Sequence, residues 1–130
     1  VDLAFIDLLQ GIVDFIKIGS APSFIKRGSQ VSMVRANSLP IGILNNIDVD
    51  TIQQVIGHDD VLVMLSDGLL ETVGENHDES WIMDTLQNIV TTDPQNIADL
   101  LLNRAILNSG GSVTDDMTVI VTRIVSANRC

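Results

Sequence analysis

Residues 61–71 read VLVMLSDGLLE, and no other stretch restricts the fold of this chain as strongly. From Val61 to Ser66 the residues are apolar or small, without a charge. An uncharged run that short predicts a strand buried on both faces. The strand then meets Ser66-Asp67-Gly68. An ionised carboxylate at the end of a buried strand needs a metal ion, a hydrogen-bonding cluster or a cation beside it. Gly68 lets the backbone turn there or come close to a ligand. Two readings of Asp67 are open at this point: a ligand at a functional edge, or the cap of a short following helix.

The stretches before it read as strands. Residues 1–9 and 12–18 predict a hairpin about Gln10-Gly11. In its second strand Val13, Phe15 and Lys17 share one face, and Ile12, Ile16 and Ile18 lie on the other. Residues 23–27 and 30–35 predict a second hairpin about Gly28-Ser29, after a small-residue loop at 19–22. Residues 38–42, SLPIG, are too punctuated for a regular element, whereas 48–56 alternate as a strand. A polar turn, Gly57-His58-Asp59-Asp60, precedes the central strand. The second half changes period. Residues 80–90 place Trp81, Ile82, Leu86, Ile89 and Val90 at helical spacing. Thr92-Asp93-Pro94-Gln95 is a helix start, with a polar cap and Pro in the first turn. Ile97, Ala98, Leu101, Leu102, Ala105 and Ile106 then form one stripe, ended by Gly110-Gly111-Ser112. Residues 117–125, MTVIVTRIV, predict the last strand. Strands, two helices and a strand make an α+β fold of mostly antiparallel sheet with helices packed on it.

Composition narrows the class. A chain of 130 residues suffices for one domain with a real core, and 45% hydrophobic residues argue against disorder. Tyr is absent and aromatics are 3%, so that core is aliphatic. The net charge of −10 disfavours a nucleic-acid partner, which needs clustered Lys and Arg. The single cysteine, Cys130, can form no internal disulfide, which fits a reducing compartment. No run reaches the roughly 20 apolar residues of a membrane span. The chain opens on VDLAFIDLL without an initiator Met, which suggests a piece of something longer.

Asp115-Asp116 stands just before the last strand, as Asp67 stands just after the central one. If these strands are antiparallel neighbours, Asp67 and Asp115 meet at one edge of the sheet. Two close anions repel unless a cation sits between them. Oxygen donors without Cys or clustered His favour Mg²⁺ or Mn²⁺ over zinc. Taken alone, Asp115-Asp116 also reads as a solvated turn.

SDG after an apolar strand, followed by DDMTVIV near the end, resembles the metal-dependent serine/threonine phosphatases of the PP2C (PPM) class. The similarity extends to one branch of the class, the bacterial stage II sporulation protein E phosphatases. It rests on FIKIGSAPSFIKRG at 15–28, SLPIG at 38–42, VMLSDGLLE at 63–71, DPQNIADLLL at 93–102 and DDMTVIVTRI at 115–124. The resemblance implies a four-layer α/β/β/α sandwich, incomplete in this chain, with two Mn²⁺ or Mg²⁺ ions at one edge of its sheets. Asp67 matches a metal ligand of the family, and Asp115 matches the first residue of a terminal D-[DN]-x-T motif, also a ligand. Asp116 stands where Asn is frequent and would support the loop; Gly68 would allow close packing beside the site.

The family also uses an early aspartate and an Asp-Gly pair that bridge two metals, and both would precede residue 1. The resemblance therefore implies that residues 1–130 are the C-terminal part of a single phosphatase domain, poorly active alone. It implies metal-assisted, in-line hydrolysis of a phosphoserine on an anti-sigma-factor antagonist, releasing a sporulation sigma factor. It implies a cytoplasmic domain of a parent protein anchored in the membrane at the division septum. The competing class is a phosphatase-like module without catalysis, used for binding or assembly, and exposed faces of an incomplete sandwich would favour self-association. Elsewhere the bland readings hold: His58 and His77 as solvated loop residues, GENHDES at 74–80 as a solvated loop, Lys26-Arg27 as a hairpin tip, and Cys130 as a terminal thiol.

Overall fold

The computed structural model describes residues 1–18, 21–35, 50–70, 79–110 and 116–126. Among the described residues seven strands form two sheets: β1 (Asp2–Asp7), β2 (Ile12–Lys17), β3 (Ser23–Arg27), β4 (Gln30–Val34), β5 (Asp50–Val55), β6 (Val61–Leu65) and β7 (Val119–Arg123). The first sheet has the order β1-β2-β5 and the second β4-β3-β6-β7. Every pairing is antiparallel. Helices α1 (Ser80–Asn88) and α2 (Pro94–Asn108) cover one face of the second sheet, and the first sheet covers the other. The described residues thus form three layers: helices, four-stranded sheet and three-stranded sheet.

The central strand behaves as its composition demands. Val61, Val63 and Leu65 face the helices and pack with Ile82, Leu86, Ile97 and Leu101. Leu62 faces the other way and packs with Val13, Phe15 and Ile25 between the sheets. Both faces of β6 are core, which is why it tolerates no charge. Helix α2 starts as the sequence indicates: Asp93 accepts the N–H of Gln95 at 3.0 Å and Pro94 occupies the first turn. Its buried stripe is Ile97, Leu101 and Ala105, at fourfold spacing. Each large aliphatic side chain there contributes about 1.5–3 kcal/mol by leaving water. Leu107, at the end of the stripe, is exposed.

The outer face of the three-stranded sheet is less well covered. Residues opposite each other in an antiparallel pair share a face, so Leu3 with Ile16, and Ile12 with Val55, lie outward. Leu3, Phe5 and Val55 there are 45%, 59% and 70% exposed. A fourth layer on this face is absent among the described residues.

The turn 57–60 carries the main polar structure. Asp59 has φ 69°, unusual for a residue with a side chain, and accepts two hydrogen bonds from Arg123. Asp60 is 2% exposed; Arg27 donates to both its carboxylate oxygens, and the Gly57 N–H donates at 2.8 Å. Arg27 also donates to the Val55 carbonyl, so this pair ties together both sheets. The hydrogen bond to Asp60 and its charge raise the Arg27 guanidinium further above its usual range. The solvated-loop reading of His58 is corrected: the ring is half-buried, and its Nδ1 accepts the Ser126 N–H at 2.9 Å. His77 and Cys130 lie outside the described residues, as do residues 74–78 of the acidic loop. The hairpin-tip reading of Lys26-Arg27 is also corrected. The tip is Gly28-Ser29; Lys26 is buried against the helix layer and Arg27 points the opposite way.

Candidate metal centre

Strand β6 ends where β7 begins. Leu65 pairs with Val119, and Val61 with Arg123. The two strands are therefore antiparallel neighbours, and the SDG turn and the segment leading into the last strand lie side by side. Ser66 fastens them. Its N–H donates to the Thr118 carbonyl at 2.9 Å, its hydroxyl accepts the Thr118 N–H at 2.9 Å, and the hydroxyl donates to the Asp116 carbonyl at 3.3 Å. One small side chain thus extends the ladder past the regular strands. Sequence reasoning passed over Ser66; its only signal was a hydroxyl where the strand's apolar run stops.

Asp67 opens a single 3₁₀ turn, Asp67–Leu69. Ser66, not Asp67, is the N-cap, and no side-chain capping bond forms. The capping reading of Asp67 therefore fails. The carboxylate is exposed, and among the described residues it makes no hydrogen bond or ion pair. Its backbone is held by the Leu70 N–H, which donates to the Asp67 carbonyl at 2.9 Å. A fixed backbone with an unspent carboxylate is what a first ligand for a hard cation requires.

Gly68 explains how the loops come this close. It is buried, and a Cβ there would overlap the Asp116 carbonyl oxygen and lie 3.0 Å from its carbon. Its φ is not positive, so close approach, not turn conformation, excludes a side chain. Asp116 is exposed beside this contact. Asp115 lies outside the described residues, so only its neighbour Asp116 is located. Among the described residues no three His, Cys, Asp or Glu side chains converge on one point. The donors present are carboxylates at a sheet edge, a set suited to Mg²⁺ or Mn²⁺ and not to a thiolate-seeking metal.

Lys17 lies on the inner face of β2, fully buried, where sequence reading placed it among apolar residues. It donates to Asp2 at 2.9 Å and to the Ala21 carbonyl at 2.8 Å. The start of β3 lies at the same end of the second sheet as Ser66, because Phe24 pairs with Val63 near the end of β6. Lys17 so anchors Ala21, just before β3.

Comparisons with known proteins agree with this arrangement. Residues 1–125 match the family described as Stage II sporulation protein E (SpoIIE). The chain is 47% identical over 125 residues to stage II sporulation protein E of Bacillus subtilis, covering 95% of this chain and 15% of that protein. It superposes on the manganese-presoaked phosphatase domain of SpoIIE from B. subtilis with a TM-score of 0.84 and 41% identity, over 100% of this chain and 58% of that one. A structure of the PP2C phosphatase domain with a fragment of the regulatory domain of the same protein matches at TM-score 0.84 and 46% identity, over 95% of this chain and 38% of that one. The chain thus spans under two thirds of these phosphatase-domain structures. With this two-sheet α+β fold and the family match over nearly its whole length, the chain belongs to the Stage II sporulation protein E family and has the fold of its PP2C-type phosphatase domain.

Proposed function

We propose that residues 1–130 are the C-terminal part of a PP2C-type protein serine phosphatase domain, and that Asp67 and Asp115 are ligands of its Mn²⁺ or Mg²⁺ ions. The observation that supports this best is the uncommitted Asp67 carboxylate, presented at the edge where Ser66 clasps the start of the last strand. Bound there, a divalent cation would supply Lewis-acid activation of water and neutralise phosphoryl charge. The chain's own contribution is positional. Ser66 and Gly68 set the separation between the two loops, and Asp116 supports the second loop through its backbone. Such preorganisation of charge-stabilising groups carries much of the acceleration in phosphoryl transfer.

The substrate in this reading is a phosphoserine on an anti-sigma-factor antagonist, and the outcome is activation of a sporulation sigma factor. The parent protein is membrane-anchored at the division septum, with this region on its cytoplasmic side; among the described residues no helix is long and apolar enough to cross a membrane. A second reading, an assembly module without catalysis, is favoured by the exposed Leu3, Phe5 and Val55 face.

Asp67→Ala tests the assignment. An exposed, unbonded residue should change stability by less than about 0.5 kcal/mol. In the 130-residue chain it should weaken Mn²⁺ binding, read by the loss of free-ion paramagnetic resonance signal. In the intact phosphatase domain it should abolish release of phosphate from a phosphoserine protein. Unchanged Mn²⁺ binding and unchanged turnover together would refute Asp67 as a ligand, whereas an intact wild-type domain that releases no phosphate would favour the assembly module.

A further inference from the structure

We infer that the cleft between the β3–β4 hairpin and the C-terminal end of α1 is a binding site for a carboxylate carried on a short apolar stem, with Lys26 as its counter-charge. The cleft has a volume of about 410 Å³. It opens at the start of β6, opposite the end that carries Ser66 and Asp67, since Lys26 pairs with Val61. It is independent of the phosphatase reading.

Lys26 is the reason to expect a ligand. It occupies a helix-facing position of β3, in line with Phe24 and beside Val31 and Val61. The residue is 5% exposed. Its ammonium donates one hydrogen bond, to the Gly28 carbonyl at 2.6 Å. Among the described residues it has no other acceptor and no carboxylate partner. Burial pushes its pKa down. Buried ammonium groups are ordinarily paired, because removing the charge from water is costly. Among the described residues the one carboxylate that lines the cleft, Asp59, is engaged by Arg123. The partial negative charge at the end of α1 eases the cost without cancelling a full charge.

The walls select the ligand. Val61, Ile89 and Val90 make one side apolar, and Val90 is almost fully exposed at the mouth. Ser29, Asn88 and Thr92 add hydroxyl and amide groups to the lining. A single positive charge matches a single negative one. A phosphate dianion would need more cations, and the nearby arginines are spent: Arg27 on Asp60 and Arg123 on Asp59. A monocarboxylate on an aliphatic stem fits both the charge and the wall, with charge-assisted hydrogen bonds from Lys26.

The test is a nuclear magnetic resonance titration of the 130-residue chain with lysine side chains labelled. Butyrate is the probe, butyramide its neutral isostere, and inorganic phosphate the rival anion. A blocked tripeptide with one glutamate, acetyl-Ala-Glu-Ala-amide, separates a protein-borne carboxylate from a free acid by which binds at lower concentration. Butyrate should produce saturable shifts at the Lys26 side chain and at the amides of Gly28, Asn88 and Ile89. Butyramide should bind about tenfold more weakly, as expected for loss of a charged hydrogen bond. Lys26→Met should remove the response. Asn88→Asp, which leaves Lys26 in place and supplies an internal competitor, should remove it too and covers the case of a Lys26→Met chain that does not fold. Absence of saturation by butyrate and by the peptide, equal binding of butyramide, or preferential saturation by phosphate would overturn the assignment and leave Lys26 a structural cation at the end of α1.

Discussion

Replacing Gly68 by alanine should damage both stability and the candidate metal edge. The added Cβ overlaps the Asp116 carbonyl oxygen and stands 3.0 Å from its carbon and 3.5 Å from Met117 Cγ. Two of these atoms are backbone, so rotating a side chain brings no relief. The 116–118 segment must retreat by roughly 1 Å to reach ordinary contact. That retreat stretches the three Ser66 hydrogen bonds, now 2.9, 2.9 and 3.3 Å, past good geometry. Overpacking costs about 1–3 kcal/mol, and weakened hydrogen bonds add about 0.5–1.5 kcal/mol each. With partial relaxation, about 2–4 kcal/mol is expected in total. For a chain of this size that is a fall in melting temperature of about 8–16 °C. Gly28→Ala is the control: its φ is +61°, but nothing lies within 4 Å of the new Cβ. That change should cost about 1 kcal/mol through backbone conformation alone. Thermal unfolding followed by circular dichroism distinguishes the two. A Gly68→Ala chain that melts within about 2 °C of wild type, or above Gly28→Ala, would refute the argument from close approach.

Three further expectations concern other parts of the molecule. Asp60→Asn should lower stability by about 1–3 kcal/mol in urea denaturation, since it removes the carboxylate bonded to Arg27 and Gly57; the exposed Arg27 head can regain water, which limits the loss. Burial lowers the Lys26 pKa, so the unfolded chain binds more protons than the folded one between that lowered value and 10.5. Stability from this group therefore rises with pH across that window, and urea midpoints of wild type against Lys26→Met, taken up to pH 10.5, should converge there; parallel profiles would contradict the burial argument. Finally, the exposed Leu3, Phe5 and Val55 face should make the chain self-associate in light scattering, and Phe5→Lys should reduce it. A monodisperse 14.1 kDa wild-type monomer that melts cooperatively would show that three layers suffice.

Much of the fold is legible locally. The uncharged run at 61–65 could only be a strand with core on both sides, and Asp93-Pro94 followed by apolar residues at fourfold spacing could only start a helix. Alternation in residues 12–17 put Val13, Phe15 and Lys17 on one shared face, which the structure shows to be the inner one. These signals lie within a few residues, where backbone propensity and side-chain period act. The candidate site was legible in part: Asp67 stands out as a charge closing a buried strand, and the DDMT segment as its counterpart.

Partnerships across long separations were not legible, because nothing in a local window records what it will face. Asp59 and Asp60 are chemically identical neighbours. The fold gives one to Arg123 at the exposed end of β7 and buries the other on Arg27, 33 residues away. Lys26 and Arg27 form one basic pair in sequence, yet strand alternation sends them to opposite faces, one into an apolar cleft and one onto a carboxylate. Ser66 acquires its role only when β7 arrives 50 residues later and leaves a backbone gap that a hydroxyl can bridge. Sequence alone determined the elements and the carboxylates that end them. Tertiary structure decided which of those charges are spent on partners and which, like Asp67, remain available, because pairing depends on distances that only strand register sets.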